Sequence, residues 1–282
     1  MMNCSDSDDQ WKELPALSIR IVKSKQAKTR VLMNNRTIAK HIPVTSKLTP
    51  SSLSSMLSAY KMVYVKPDLG MGGVGVIRVE QSAPNAYRLQ HGTRVKHYAS
   101  ISQLYASIAR IRGTRKYLVQ QGISLLRHEG SPFDIRVMVQ MSPAGQWEAT
   151  GVIGRVAHPS RIVTNYYSGG TVIGYHTLMK RYLGSAERQR LRDQLCALGL
   201  EVARYMKMKY PGIKEIGLDV GLDERYRPWL IEVNTLPNPF IFKKLKDPSV
   251  YRKIARYARA YGRFQDRYCP QRAKRHQKAA RS

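Results

Sequence analysis

Gly217-Leu218-Asp219-Val220-Gly221 and Pro228-Trp229-Leu230-Ile231-Glu232-Val233-Asn234 read as two buried strands facing each other across a turn at Glu224 to Arg227. Strand side chains alternate faces, so Glu232 and Asn234 point one way while Trp229, Ile231 and Val233 point the other. Antiparallel pairing about that turn sets Asp219 beside Glu232, where two unneutralised carboxylates repel. A hard divalent cation relieves that repulsion, and Mg2+ takes one or two carboxylates together with phosphate oxygens and water. The hairpin is therefore a candidate site for a metal that arrives with a nucleotide. A surface hairpin with solvated acids fits the same residues equally well, because Asp and Glu are common on half-exposed strands.

Toward the amino terminus, the spacing of Leu191, Leu195, Leu198, Val202, Tyr205 and Met206 predicts a long helix from about Ser185 to Lys209, with Cys196 an inert core thiol within it. Before it, Thr164-Asn165-Tyr166-Tyr167-Ser168-Gly169-Gly170-Thr171 makes a polar loop. Trp147 to Val156 reads as a strand that delivers Arg155. Phe133 to Met141 is a second strand, with Ile135, Val137, Val139 and Met141 on one face and Asp134, Arg136, Met138 and Gln140 on the other. Arg136 and Arg155 at one pocket would form a bidentate oxyanion clamp that lysine cannot mimic; as average members of a basic surface they would do nothing of the kind.

Further upstream, Met62-Val63-Tyr64-Val65-Lys66-Pro67 is a short strand, followed by Asp68-Leu69-Gly70-Met71-Gly72-Gly73-Val74-Gly75 and a second strand from Val76. Glycines let backbone N–H groups turn toward an anion without a Cβ in the way. No Gly-Lys-Ser/Thr follows and the next element is not a helix, so the loop is neither a Walker A nor a Rossmann loop. A plain hairpin turn explains it as readily, but Lys66 adds a fixed positive charge beside a phosphate-sized concavity. Lys116 to Ile123 is a strand broken at Gly122, a place where a pocket edge can present free backbone polar groups to a base. Between these, Tyr87 to His97 reads as further strand and Ser100 to Arg110 as a helix. Thr49-Pro50 caps a helix carrying Leu53, Met56, Leu57 and Tyr60. His41 to Thr45 is extended by its proline, and Leu17, Ile19, Ile21 and Val22 suggest a strand in the lead-in.

Downstream of the hairpin, Thr235 to Pro239 is a loop, a helix runs from about Pro248 to Tyr261, and the chain ends in a basic tail. The 282 residues are 43% apolar, enough for a real core in one or two domains. A net charge of +29 suits polyanions, acidic peptides, nucleotides or anionic surfaces as partners. Three widely spaced cysteines, Cys4, Cys196 and Cys269, fit a reducing cytoplasmic setting and no disulfide framework. No apolar run approaches the roughly 18 residues of a membrane span.

Taken in order, Tyr64-Val65-Lys66-Pro67 with its glycine loop, Leu118 to Ile123, Phe133 to Val137, Arg155 with Asn165 and Gly169-Gly170, Leu218-Asp219-Val220 and Ile231 to Thr235 resemble the ATP-grasp superfamily. Among its members the chain looks most like the YheC/YheD family of endospore coat-associated proteins. The resemblance implies an α+β ATP-grasp fold: two α+β subdomains clasping a nucleotide, with the usual N-terminal α/β domain largely missing. Residues 1–27 are then a partly disordered lead-in, 28–262 the ATP-grasp domain and 263–282 the tail. Within the domain, about 62–123 form the smaller lid subdomain and about 124–262 the subdomain with the metal site.

Carried over residue by residue, the resemblance implies ATP as cofactor with Mg2+, or Mn2+ in its place. Lys66 would touch the α- and β-phosphates, and Gly70, Gly72, Gly73 and Gly75 would fold over the β- and γ-phosphates. Lys28 is the candidate for an earlier nucleotide-contacting lysine. Gln120, Gln121 and Ile123 would line the adenine hinge. Arg136 and Arg155 would steady the transferred group as catalytic residues, and Asp219, Glu232 and Asn234 would hold the metal.

The activity so implied is ATP-dependent carboxylate–amine ligation through an acylphosphate, on an acidic peptide or polymer given the basic surface. The alternatives are a small-molecule kinase on the same fold and a non-catalytic, spore-coat-associated ATP-binding protein. Nucleic acid is the least favoured partner, since Tyr257 and Tyr261 have helical spacing that means core. The sequence leaves the substrates and the oligomeric state open.

Overall fold

The computed structural model describes residues 19–164 and 169–264. Residues 19–24 form neither helix nor strand. The strand expected around Ile19 to Val22 is therefore absent; the Arg20 N–H bonds instead to the Gly212 carbonyl (3.0 Å) and the Val22 N–H to Thr235 Oγ1 (2.9 Å). Ser24 caps helix α1 (Lys25–Leu32), so the helix that carries Lys28 begins three residues before it. The short helix α2 (Arg36–Ala39) and strand β1 (Thr45–Lys47) follow.

The first sheet is built from local signals. Helix α3 (Pro50–Tyr60) starts at the expected Thr49 cap, with Ser52 completing a reciprocal capping box. Strand β2 (Met62–Pro67) precedes the glycine loop. The segment expected as one strand from Tyr87 to His97 is instead a hairpin: β3 (Ile77–Ala83), β4 (Ala86–His91) and β5 (Arg94–Tyr98) run as a meander, with Gly92 at φ +62 turning β4 into β5. Helix α4 (Ile101–Arg112), capped by Ser100, leads into β6 (Tyr117–Gln121). The sheet order is β1-β6-β2-β3-β4-β5, with every pairing antiparallel. One face packs Val63, Val65, Ile77 and Val79 beneath Leu53, Leu57, Leu104 and Ile108 of the two helices. By strand alternation the other face presents Tyr64, Lys66 and Gln120.

The segment from Gly122 to Leu126 links this sheet to the second one. Strand β7 (Arg127–His128) pairs with the start of β8 (Ser131–Met141), and β9 (Trp147–Val156), β10 (Thr171–Gly174) and helix α5 (Tyr175–Met179) follow. Helix α6 (Ser185–Lys209) has the expected bounds, and β11 (Glu215–Leu222) with β12 (Pro228–Asn234) is the hairpin read first. A 3-10 turn (Pro239–Lys244) and helix α7 (Pro248–Ala260) close the described chain. Strand order is β10-β9-β8-β11-β12. On one face Ile135, Val137, Leu218 and Val220 join Leu195, Leu198 and Val202 of α6 in the largest core.

The opposite face of this sheet is divided along its length. Met138 and Ile153 are covered by Phe242 and by Ile254 of α7. Asp134 and Arg155, on the same face toward the other end, are left for the cleft between the sheets. The strand pattern thus supplies an apolar half that binds α7 and a charged half that faces the first sheet.

Candidate functional site

The two sheets enclose a cleft of about 150 Å3, lined by charged, polar and apolar side chains from both. Its floor is the β11–β12 hairpin. Asp219 lies directly opposite Glu232, as the turn position requires. The register then slips: Val220 pairs with Leu230, leaving Ile231 as the extra residue of a β-bulge. This corrects the expectation that Trp229, Ile231 and Val233 share a face. Leu230 and Val233 enter the core, while Ile231 joins Glu232 and Asn234 on the cleft side.

The paired carboxylates are not left unneutralised. Arg136 Nε donates to Asp219 Oδ1 at 2.5 Å, Arg155 Nη2 to Oδ2 at 2.9 Å, and Asn234 Nδ2 to Oδ2 at 3.4 Å. Burial works to raise the Asp219 pKa, but the two guanidiniums outweigh it and hold the carboxyl well below its usual range. Glu232 faces Lys25 Nζ at 3.5 Å. Basic side chains thus occupy the positions where a cation was expected to act alone.

The expected arginine clamp is likewise engaged with protein acids. Arg155 forks onto Asp134 (Nε–Oδ1 2.8 Å, Nη2–Oδ2 2.6 Å), and Thr164 Oγ1 donates to the same carboxylate at 2.6 Å. Burial opposes the charge of Arg155, yet Asp134 and Asp219 raise its pKa further, so it is permanently cationic. Arg155 lines the cleft; Arg136 does not. Arg136 lies alongside Gly217, where a Cβ would stand 3.2 Å from Arg136 Cδ and 2.7 Å from Pro237 Cβ. Arg136 is placed to hold Asp219 from beneath.

On the opposite wall, Lys66 Nζ donates to Gln120 Oε1 at 2.7 Å and to the Ile231 carbonyl at 3.3 Å. Burial lowers its pKa to about 8, against the pull of Glu232. Gln120 also donates to Thr45 Oγ1 (2.9 Å), and the Gln121 side chain accepts from Val44 N–H (3.2 Å). Both glutamines border the cleft; the Gln120 amide is engaged at both ends, while Gln121 is held, among the described residues, through its oxygen alone. The backbone N–H and C=O of Ile123, beyond the end of β6, meet no partner among the described residues. They give a pocket edge one donor and one acceptor beside the apolar walls of Ile231 and Leu125.

Gly70, Gly72 and Gly73 line the cleft roof. Gly73, at φ +76, sits so near Val163 that a Cβ would lie 3.0 Å from it, and Gln90 Nε2 reaches the Ser160 carbonyl at 3.3 Å. The lid of the first sheet therefore touches the 158–164 loop of the second. Gly75 does not line the cleft; its carbonyl accepts the Tyr117 hydroxyl at 3.1 Å and anchors the end of the loop. Lys28 is also outside the main cleft, in a small adjoining recess of about 20 Å3 bordered by Lys25, Lys66 and Glu232, and burial lowers its pKa.

Two contributors went unnoticed in the sequence. Lys25 lines the cleft and donates to the Gly70 carbonyl at 2.8 Å, linking the glycine loop to Glu232. Its signal was the i, i+3 spacing to Lys28 after a capping serine. Asp134, 3% exposed, was on the expected face of its strand but had no assigned partner. Asn165 and the loop to Ser168 lie outside the described residues, as do Cys4, Cys269 and the tail from 265. No described helix is long and apolar enough to cross a membrane.

The sequence model of the family described as YheC/D like ATP-grasp matches residues 16–264. Two relatives from Bacillus subtilis (strain 168) are similar to the chain. The endospore coat-associated protein YheD is 30% identical over 205 residues, 70% of this chain and 44% of its own length. The endospore coat-associated protein YheC is 24% identical over 210 residues, 73% and 57% respectively. The chain thus spans about half the length of the curated relatives it matches. A structure of carboxyaminoimidazole ribonucleotide synthase from Aspergillus clavatus, complexed with ATP, aligns with a TM-score of 0.48 at 12% identity, covering 77% of this chain and 46% of that one. With the family match running over most of its residues, the chain belongs to the YheC/D-like ATP-grasp family.

Proposed function

We propose that the protein is an ATP-dependent ligase that joins a carboxylate to an amine through an acylphosphate. The observation that carries this reading is that Lys66, the glycine loop, Arg155 and the Asp219, Glu232 and Asn234 group all line one cleft between the two sheets. In this reading Ile123 offers its backbone N–H and C=O to the base, with Ile231 and Leu125 as apolar walls. Lys66 and the N–H groups of the Gly70–Gly73 loop orient the phosphates, and Arg155 neutralises charge on the transferred group.

The donor set suits Mg2+. Glu232 and Asn234 line the cleft, and Asp219 adds a second carboxylate whose Oδ2 is held only by Arg155 and a long contact to Asn234. Two carboxylates and one amide leave most of the shell to phosphate and water, the usual Mg2+ arrangement. When bound, the ion would neutralise phosphate charge and draw in the β- and γ-oxygens.

The chemistry needs no nucleophile from the chain. A substrate carboxylate oxygen bonds to the γ-phosphorus as the bond to the β-phosphate oxygen breaks, and ADP leaves. The amine nitrogen then bonds to the acyl carbon, phosphate departs, and the amine loses a proton. The lid contact at Gly73 and Val163 excludes water that would hydrolyse the acylphosphate. The basic surface favours an acidic peptide or polymer as the carboxylate, and the names of the two relatives favour a setting in the endospore coat. ADP release that needs a carboxylate together with an amine, and hydroxamate formation when hydroxylamine replaces the amine, are the expected results. ADP release with a hydroxyl compound alone would instead identify a kinase.

A further inference from the structure

A second cavity, of about 400 Å3, opens on the far side of Tyr64. It lies between Met62, Tyr64 and Arg78 of the first sheet and a wall made by Ser124–Arg127, Pro132 and Tyr182. Lys66, the glycine loop, Arg155, Asp219 and Glu232 do not reach it, and Arg78, Arg127 and Glu224 do not line the nucleotide cleft. Tyr64, Ile123 and Leu125 border both spaces and form a common wall.

The polar groups of this cavity include two donors that meet no acceptor among the described residues, the Tyr64 hydroxyl and Arg78 Nε. Tyr64 and Arg78 are cross-strand partners, so their side chains stand on the same face. No group among the described residues meets the Tyr64 hydroxyl. Arg78 spends Nη2 on Glu80 (2.6 Å), and its Nε is buried with no partner. Arg127 gives Nη1 to the Gly130 carbonyl (2.6 Å) and pairs with no acid among the described residues. Burial raises the Tyr64 pKa and Glu80 adds to that, while the charges of Arg78 and Arg127 draw it down.

A buried donor left unmet, as Arg78 Nε is, is costly, and guanidiniums select planar anions. Glu224 on the lining discourages a second negative charge. Met62, Leu125, Leu126 and Pro132 offer apolar surface beside the donors. We propose that this cavity is a binding site for a small monocarboxylate with an apolar or aromatic body, separate from the nucleotide cleft.

Ligand-observed NMR and calorimetry on the full chain test this, with benzoate as probe and benzamide and inorganic phosphate as controls. Benzoate is expected to bind saturably to wild type and to Lys66→Ala, and to bind when Mg-ATP is saturating. Benzamide and phosphate are expected to bind at least about tenfold more weakly, as is benzoate to Arg127→Ala, because a hydrogen bond to a charged partner is lost. Arg78→Lys, which keeps the charge and loses the fork, is expected to weaken benzoate as well. Absence of saturable benzoate binding, equal binding of benzamide or phosphate, or affinity unchanged in both arginine variants overturns the proposal. So does complete displacement by Mg-ATP, which would put the probe in the nucleotide cleft.

Discussion

Raising the pH will weaken nucleotide binding through one buried amine. Lys66 is held at a pKa of about 8, against 10.5 for an ordinary lysine, chiefly by burial. The folded value lies below the unfolded one, so the buried charge costs stability below pH 8. That cost is relieved as pH rises, because between the two values the unfolded chain binds more protons. The gap corresponds to about 3 kcal/mol. Phosphates beside the amine act in the opposite direction and raise its pKa, so binding above pH 8 must take up a proton. Affinity for Mg-ATP should then fall by up to about tenfold for each pH unit above 8 until the pKa of the complex is reached. Calorimetry from about pH 7 to about pH 10, in buffers of different ionisation enthalpy, yields both the affinity and the proton uptake. Lys66→Arg remains charged throughout and should flatten the profile, whereas any contribution from Lys28 would persist in it. A flat profile in the wild type, or the same slope in Lys66→Arg, would refute the reasoning.

Other substitutions test the supports of the cleft. Asp134→Ala strips the buried fork from Arg155, which keeps Asp219 as its other partner, and should cost about 1 to 3 kcal/mol in urea unfolding; an unchanged unfolding midpoint would show that the fork does not support the cleft. Gly73→Ala puts a Cβ 3.0 Å from Val163 at φ +76, so the Kd for Mg-ATP should rise. Global stability should fall by about 1 to 2 kcal/mol in that variant from the left-handed backbone alone, and an unchanged Kd would remove the lid contact from the account. Tyr261→Phe removes the hydroxyl that donates to Glu215 and accepts from Gln140, and should cost about 1 to 3 kcal/mol of stability without altering nucleotide affinity.

The elements of this fold were legible where physics is local. The Thr49 cap, the leucine spacing of α6 and the alternation from Phe133 to Met141 each depend on neighbours in sequence, and each element appears there, with β8 starting two residues earlier than its alternation marks. The pairing of Asp219 with Glu232 was legible because a hairpin turn sets its own register. The bulge at Ile231 was not, since an extra residue leaves no mark in a run of apolar side chains. The division of labour between the arginines was also hidden. Arg136 and Arg155 look alike along their strands, but Asp134 and Asp219 arrive from different strands and decide which guanidinium reaches the cleft. Lys25 was obscured for a similar reason, because α1 acquires its place only by packing against β12 and α6, distant in sequence.

The central claim is that the cleft is a metal–nucleotide site, and thermal unfolding of wild type and Glu232→Ala with and without Mg-ATP tests it most directly. Ligand at about 100 times its Kd should add about 2.7 kcal/mol of stability to the wild type. The account predicts that this shift shrinks sharply in Glu232→Ala and whenever Mg2+ is chelated, while the unliganded melting temperatures of the two proteins stay close. An absence of any shift in the wild type, or an equal shift in both proteins, would contradict it.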